Sequence, residues 1–242
     1  MEKGKLVVER VEGRSTLTRC FSKYPFKFIV PNKAGSSKAD AVWIYTITYG
    51  GGILSGDSMA CDVTVGDGAT AVLTTQSSTK VYKSEGSKCS QQKMEASIGK
   101  DALLVVIPDP VTCFSTAKYS QIQNFKVVPE SSLLLVDWIT SGRHERGEKP
   151  KLKLIQSQIQ EDVKKLMSQQ LRLPSVSTGC SSESGSSYWL PKLSFLASCS
   201  TFGPKGTGVV IRVASMTTES VYNFLQDQLA SLEELLGAAP YL

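Results

Sequence analysis

Residues 59–75 read MACDVTVGDGATAVLTT, two runs rich in valine and threonine on either side of the turn Gly66-Asp67-Gly68. Short β-branched runs that end at glycine and aspartate are typical of strands joined by tight turns. Similar runs recur about every ten residues from Lys5 to Ile139. This spacing is typical of an all-β sandwich, a barrel or a solenoid of stacked sheets, and the residues alone leave all three open.

All runs of this kind in the first part of the chain are predicted to be strands. They are Lys5 to Arg10, Phe26 to Val30, Val42 to Tyr49, Met59 to Val65, Thr70 to Thr75, Lys88 to Ile98, Leu103 to Ile107, Lys118 to Val128 and Leu133 to Ile139. Pro108-Asp109-Pro110 is predicted to be a rigid turn, since proline fixes φ and donates no ladder hydrogen bond. Before Glu148, no segment of helical length has a convincing helical period, so a βαβ fold is excluded.

The pattern changes after Glu148. From Lys151 to Arg172 the apolar residues follow helical spacing and predict an amphipathic helix. They are Leu152, Ile155, Ile159, Val163, Leu166 and Met167. Pro174 ends this helix, and the serine-rich composition of residues 175–187 is typical of a flexible loop.

Two strands and a second helix are predicted beyond the serine-rich loop. The strands are Leu193 to Thr201 and Gly208 to Ser215. The helix runs to about Leu236, with Thr217 or Thr218 as its N-cap. The fold class is therefore mainly β, with two α-helices in the C-terminal part.

Length and composition exclude several classes of protein. The 242 residues are enough for a single domain, with residues 1–148 as its β-rich part and residues 149–242 as its mixed part. The net charge of +5 is spread along the chain without a basic run, so we expect no nucleic-acid partner. The apolar run Leu103 to Ile107 is far shorter than the roughly 20 residues of a membrane span. Residues 1–5 lack the apolar core of a signal peptide, so we expect a cytoplasmic protein with no membrane contact.

The numbers of cysteines and histidines limit the metal chemistry. None of the 6 cysteines is spaced as C-x-x-C, and we expect most of them to be buried thiols. His144 is the one imidazole in the sequence. We therefore expect no permanent zinc or nickel cage and no permanently bound cofactor.

The segment from Tyr49 to Asp57 is an unusual glycine-rich loop. Its glycines are Gly50, Gly51, Gly52 and Gly56. They allow positive φ and a close approach to another surface, and Asp57 adds a carboxylate at the end of the loop. The loop matches neither a phosphate-binding loop nor a dinucleotide fingerprint, because a strand follows it. A tight corner between strands and a contact or ion-passing loop both fit.

Hydroxyl side chains cluster between Thr74 and Ser84, beside Lys80 and Lys83. None of these hydroxyls has a nearby histidine or partner acid to activate it as a nucleophile. An ordinary strand edge and the lining of a polar channel remain as alternatives for this segment.

Charged residues concentrate between Asp137 and Glu148. Asp137 ends a leucine-rich strand, where a carboxylate needs a paired charge such as Arg143 or Arg146, or hydrogen bonds. His144 and Glu145 either hold a divalent metal weakly or are simply solvated.

These segments resemble the urease accessory protein D family, called H in some bacteria, in its plant-like form. The segments that carry the resemblance are Tyr49 to Asp57, Thr74 to Ser84, Pro108 to Tyr119, Leu133 to Glu148 and Phe195 to Leu229. The resemblance implies a β-helix-like stack of strands with two helices and no enzymatic activity. It also implies a scaffold that binds apo-urease and, with urease accessory protein F, recruits the urease accessory GTPase G, which delivers nickel.

The resemblance further implies an internal, water-filled passage for nickel in transit. By motif position, Asp57, Thr79 and Asp137 look like its polar lining. The remaining motif residues are expected in loops or partner contacts: Gly50, Gly51, Gly52, Gly56, Lys80, Tyr82, Arg143, His144 and Glu145. Asp57, Asp137 and His144 are the weak candidates for metal contact, and scattered oxygen ligands would let nickel move on.

The chain departs from the family pattern after Glu148. Family members have further strands at this point, whereas here Lys149-Pro150 leads directly into the predicted helix. Several strands therefore look to be missing, and a deletion inside a stack exposes strand edges and apolar faces. We expect a chain that either folds poorly or keeps a reduced stack and binds only some partners.

Two other classes of function fit some of the same residues. An all-β carbohydrate-active hydrolase would use Asp57 and Asp137 as its carboxylate pair, with Trp43 or Trp138 stacking on the sugar. A metal-independent interaction module would need none of these side chains for chemistry. Turnover assays on glycosides and the identity of bound partners distinguish the three readings.

Overall fold

The computed structural model describes residues 3–31, 39–142, 155–162, 195–202 and 208–241, with the backbone alone described at 155–162 and at 202. Its first part is two antiparallel strand pairs. One consists of β1 (Gly4–Val11) and β2 (Arg14–Phe21), and the other of β3 (Phe26–Ile29) and β4 (Val42–Thr48). β2 is absent from the predicted strands.

Three turns of a coil follow, and each turn contributes one strand to each of three sheets. The turns are β5 (Ser58–Val65), β6 (Thr70–Thr75) and β7 (Thr79–Val81); β8 (Ser90–Ile98), β9 (Leu103–Val106) and β10 (Val111–Cys113); and β11 (Tyr119–Val127), β12 (Ser132–Leu135) and β13 (Ile139–Ser141). Equivalent strands pair in parallel from one turn to the next. β1 and β4 pair in parallel with β5 and β6 and close the first end. The β-helix-like stack implied by the resemblance is confirmed.

Alternation along the strands separates the interior of the stack from its outer surface. In β5, Met59, Cys61, Val63 and Val65 are buried, whereas the residues between them are at least partly exposed. The same period places Leu104 and Val106 of β9 in the main core, and Val105 between them in a second core on the outer side of the sheet. A period of two residues is what a pleated strand requires.

The predicted helix from Lys151 to Arg172 is wrong where the structure describes it. β14 (Ile155–Asp162) is a strand that pairs in parallel with β11, from Tyr119 opposite Ile155 to Lys126 opposite Asp162. Isoleucines at 155 and 159 fit a strand period as well as a helical one. The exposed edge of β11 offers a full ladder of hydrogen bonds, and this long-range partner decides between the two. The rest of that segment, including the serine-rich loop, lies outside the described residues.

The C-terminal part supplies a hairpin and a helical cover. β15 (Phe195–Phe202) and β16 (Gly208–Ser215) pair antiparallel, as predicted. The predicted last helix is α1 (Thr218–Leu229), followed by a 3-10 turn at Ala230–Leu232 and a short α2 (Glu233–Leu236). The hydroxyl of Thr217 accepts a hydrogen bond from the Ser220 N–H at 3.4 Å and caps α1.

The C-terminal helices cover the outer face of the sheet formed by β6, β9 and β12. Leu229 and Leu236 are buried against Val72, Val105 and Ile107 of this face. The Trp43 indole N–H donates to the Leu236 carbonyl at 2.9 Å and ties β4 to α2. No helix among the described residues is long and apolar enough to cross a membrane.

The cysteines only partly follow the expectation of buried thiols. Of the five in the described ranges, Cys61 and Cys113 are buried and Cys89 is half-buried, but Cys20 and Cys199 are exposed. The exposed pair lies on β2 and β15, in the antiparallel hairpins at the two ends of the described fold. Such hairpins have few neighbours to cover both faces, so their thiols remain in contact with solvent.

Candidate functional site in the stack interior

A small cavity of about 80 Å³ lies inside the stack, where the polar ends of the strands meet. The polar residues of its wall are Thr46, Thr48, Thr74, Thr75, Thr79, Gln92, Lys93, Asp109, Gln121, Gln123 and Asp137. Because a water occupies about 30 Å³ in the liquid, the cavity has room for a few waters. Among the described residues, the core is mainly apolar, and polar side chains face inward at this cavity.

Asp137 reaches the interior because the strand pattern continues beyond β12. Leu133 and Leu135 pack in the main core, and Asp137 is the next residue of the same period. Its carboxylate accepts a hydrogen bond from the Gln121 amide N–H at 2.9 Å. A half-buried carboxylate needs such donors, since its charge is otherwise poorly solvated.

A chain of side-chain hydrogen bonds orients Gln121. The Tyr119 hydroxyl lies 2.8 Å from Gln121 Oε1 and 2.9 Å from Gln92 Oε1. Burial, followed by the nearby Cys113 and Asp137, raises the pKa of Tyr119 well above its usual value, so the phenol stays protonated. The Tyr119 hydroxyl donates toward both amide oxygens, so the oxygen end of Gln121 is occupied. Gln121 thus presents its own N–H to Asp137.

Gln123 is the one cavity-lining residue in the described ranges whose buried oxygen lacks a hydrogen-bond partner. Its side chain is 7% exposed and follows Tyr119 and Gln121 on the inward positions of β11. Leaving a buried acceptor unpaired costs about 1–3 kcal/mol. The side-chain oxygen of Gln123 is therefore available to accept a hydrogen bond from a water or to bind a ligand in the cavity.

Asp109 joins the cavity to the C-terminal helix. Its carboxylate accepts from the Thr75 hydroxyl at 3.2 Å and from the Tyr222 hydroxyl of α1 at 2.7 Å. Burial and the hydrogen bond to Asp109 raise the pKa of Tyr222 above its usual range, which keeps this donor protonated. The predicted rigid turn at residues 108–110 is thus held by Thr75 on the cavity side and by Tyr222 of α1 on the outer side.

Three aromatic rings enclose the same turn. Trp138 and Tyr222 meet edge to face with ring centroids 4.8 Å apart, and Tyr241 lies 5.8 Å from Tyr222. The indole of Trp138 and the hydroxyl of Tyr241 both donate to the Pro108 carbonyl, at 2.8 and 3.0 Å. The Trp138 side chain therefore packs and hydrogen-bonds within the fold.

A wide groove of about 1400 Å³ lies on the other side of Asp137. It runs between β12, β13, β16 and α1, and its wall is mainly apolar. Asp137 and Trp138 belong to the walls of both the groove and the interior cavity. Asp137 is therefore placed where the interior comes nearest to this outer groove.

The structure does not place Asp57 with Thr79 and Asp137. Thr79 lines the interior cavity, at the start of β7, whereas Asp57 is on the wall of neither described cavity. The Asp57 carboxylate accepts from the Leu54 N–H at 2.8 Å and fastens the glycine-rich loop. A hydrolase that uses Asp57 and Asp137 in one cleft gains no support from this arrangement.

The glycine-rich loop forms the tight corner that was one of its two predicted roles. Gly50 and Gly51 have φ of +73°, and a side chain on Gly52 would lie 2.5 Å from the Lys80 carbonyl. That close approach lets the Ile53 N–H donate to the Lys80 carbonyl at 2.7 Å, which links the loop to β7. Tyr82, just beyond β7, packs against Phe114 with the ring centroids 5.5 Å apart and the ring planes tilted by 44°.

Arg143, His144 and Glu145 lie outside the described residues. Within the described ranges, no three His, Cys, Asp or Glu side chains come together as metal ligands. The polar groups of the cavity are instead single carboxylates, amides and hydroxyls. The signal that the sequence analysis missed is the run of inward polar positions at Gln92, Gln121 and Gln123.

Comparison with known protein families covers nearly the whole chain. The family model described as UreD urease accessory protein matches residues 2–242. The chain belongs to the UreD family. The family match thus runs over both the stack and the C-terminal cover.

Plant and bacterial relatives of the UreD family align along nearly the whole chain. Urease accessory protein D of Arabidopsis thaliana is 54% identical over 293 positions, covering 100% of each chain. Urease accessory protein D of Oryza sativa subsp. indica is 47% identical, with 98% of this chain and 94% of that one covered. Urease accessory protein UreD of Anaeromyxobacter sp. (strain Fw109-5) is 31% identical, with 98% and 88% covered.

The length of the Arabidopsis alignment also shows that this UreD chain is shorter than its relative. Its 293 positions cover all 242 residues, so at least 51 positions have no residue of this chain. The absence of an internal segment after Glu148 stays a prediction.

Proposed function

We propose that this chain is a non-enzymatic scaffold that holds apo-urease while nickel is delivered, and that its polar interior is part of the nickel route. Membership of the UreD family supports the accessory role. The proposed nickel route is supported by the interior cavity, whose wall includes Thr79 and Asp137. Nickel is the cargo of this scaffold and not a resident cofactor.

Scattered oxygen ligands suit a metal ion that has to move on. Thiolate and imidazole ligands hold nickel firmly, whereas carboxylate, amide and hydroxyl oxygens hold it more weakly. A conducting path needs sites that an ion can enter and leave. Cys61 also lines the cavity, but burial raises the pKa of its thiol to about 12, which disfavours the thiolate that would trap nickel.

The size of the cavity sets how nickel would pass. A space of about 80 Å³ admits an ion with only a few of its waters, so oxygens of the wall replace the others. Asp137 lies on the walls of both cavity and groove, so the route would open there. Asp57 would act at another point of the route.

The proposed partners are apo-urease, accessory protein F and the GTPase accessory protein G, in the cytoplasm. The chain and protein F together would recruit protein G, which supplies nickel. The glycine corner, Lys80 and Tyr82 are proposed contact residues beside the stack, and Arg143, His144 and Glu145 are proposed contacts in the charged segment.

Co-purification followed by reconstitution tests this function. The full chain is mixed with apo-urease and protein F, and protein G, GTP and nickel are then added. We expect a complex that contains the chain, nickel-dependent urease activation that fails when the chain is omitted, and no hydrolysis by the chain alone. Failure of the complex to form would contradict the scaffold. Glycoside turnover that is lost in Asp57→Asn or Asp137→Asn would favour the hydrolase.

A further inference from the structure

We propose that Gln123 is a further cargo-binding residue of the interior cavity, and that its side-chain carbonyl oxygen binds a divalent cation or a water of its hydration shell. This inference rests on the proposed nickel route. It adds a neutral amide oxygen to the carboxylate of Asp137 and the hydroxyl of Thr79.

Three observations on Gln123 carry the inference. Its side chain is more than nine-tenths buried, it lines the interior cavity, and its oxygen has no hydrogen-bond partner within the described part of the chain. The neighbouring inward amide, Gln121, has both of its ends occupied, by Tyr119 and Asp137. Gln123 is therefore the amide whose oxygen remains available to a ligand.

The chemistry of the cavity selects the kind of ligand. An amide oxygen is an acceptor, so it binds a metal cation or a hydrogen of water and not an anion. The wall also carries the carboxylates of Asp109 and Asp137, which favour positive charge, and Lys93, whose ammonium is paired with Glu95 at 2.9 Å. Hard oxygen ligands of this kind suit a divalent cation that keeps part of its water shell.

Asn124 provides a matched comparison within the same strand. Its side-chain oxygen is also buried without a partner, but it occupies the next position of β11 and is not on the cavity wall. Replacing either amide by leucine removes a buried unpaired oxygen at similar volume. Both changes should therefore leave the melting temperature unchanged or raise it.

The test uses the chain in its complex with protein F and apo-urease, with protein G, GTP and nickel as the metal. The variants are Gln123→Leu, Asn124→Leu and Asp137→Leu, and the measurement is nickel bound to urease against time. We expect Gln123→Leu to slow nickel transfer about tenfold, with normal complex assembly and an undiminished melting temperature. Asn124→Leu should transfer nickel at the wild-type rate, and Gln123→Glu, which keeps an oxygen, should transfer faster than Gln123→Leu.

The outcomes separate this inference from the nickel route itself. Normal transfer by Gln123→Leu with slow transfer by Asp137→Leu would overturn the role of Gln123 and leave the route intact. Normal transfer by both would overturn the route. A loss of melting temperature in Gln123→Leu would assign Gln123 a structural role, and Gln123→Met, flexible and of similar volume, would repeat the question if the leucine variant fails to fold.

Discussion

At the scale of single residues, burial determines the chemistry of the thiols as well as that of the cavity. Cys61 lines the interior, and Cys113 lies in the same core. Desolvation, with smaller contributions from Asp62 and Cys20, raises the pKa of Cys61 from 9.0 to about 12. Desolvation alone raises that of Cys113 to about 11. The folded state therefore keeps both protons in a pH range where the unfolded chain loses them.

This difference predicts a loss of stability at alkaline pH. Above about pH 9 the unfolded chain binds fewer protons than the folded one, so the free energy of unfolding falls as pH rises. Each buried thiol contributes about 1.4 kcal/mol per pH unit until the pH reaches its folded pKa. Urea unfolding at pH 8, 9 and 10 measures the slope. Cys61→Ala should make the slope shallower, and equal slopes in wild type and variant would contradict the assignment.

The control for the thiol prediction is Cys199→Ala. Cys199 is exposed on β15, so the same substitution should leave the pH dependence as it is in the wild type. A similar change of slope in both variants would show that burial of Cys61 is not its cause.

At the scale of elements, α1 is fastened to the polar turn by one well-placed hydroxyl. Tyr222→Phe keeps the ring against Trp138 and removes the hydrogen bond to Asp109. We expect the free energy of unfolding to fall by about 1–2 kcal/mol, because the acceptor is a carboxylate. Chemical denaturation measures the change. Tyr24→Phe, at a site that is 64% exposed, is the matched control and should change stability by less than about 0.5 kcal/mol.

The elements also show how far the sequence predicts this fold. Long alternating runs such as β5, β8 and β11 were found because a period of two is visible over eight or nine residues. All three strands of the third sheet, β7, β10 and β13, were missed, since three residues are too few to show a period. The single strand predicted from Leu133 to Ile139 is β12, which ends at Leu135, followed by the start of β13. β14 was predicted as a helix because its apolar spacing fits both periods, and only its pairing with β11 decides.

Only part of the candidate site could be predicted from the sequence. Thr79 and Asp137 were named through the family resemblance, and the structure brings both to one cavity. Gln121 and Gln123 were not named, although they occupy inward positions of a strand whose flanking inward residues are Tyr119 and Phe125. Polar residues at inward strand positions were the missed signal, but assigning them to a cavity requires the register between turns.

At the scale of the whole molecule, the number of residues in one turn of the stack can be compared with the number of positions by which this chain is shorter. Strands of the first sheet start at residues 58, 90 and 119, so one turn takes 32 residues and the next 29. The 51 positions of the Arabidopsis alignment without a residue of this chain equal more than one such turn in length. In the described ranges, β14 starts a fourth turn on β11, whereas β12 and β13 pair only with the turn before them.

Such a stack should be less soluble than a full-length relative. Strand edges that lack a following turn promote association between chains. We expect this chain, expressed alone, to give less soluble protein and less urease activation than the Arabidopsis relative under the same conditions. Accessory protein F should restore part of the solubility. Equal soluble yield and equal activation, with a sharp unfolding transition, would show that the missing positions are dispensable.

The nickel route is tested most directly by the nickel content of urease during reconstitution with an Asp137→Leu chain. Leucine removes the carboxylate that lies on the walls of both cavity and groove. Asp62→Leu is the control, because this carboxylate lies at a partly exposed position of β5 and pairs with Lys3. We predict that Asp137→Leu assembles normally but loads nickel at least about tenfold more slowly, while Asp62→Leu loads at the wild-type rate. Normal loading by Asp137→Leu in a fully assembled complex would contradict a nickel route through the interior of the stack.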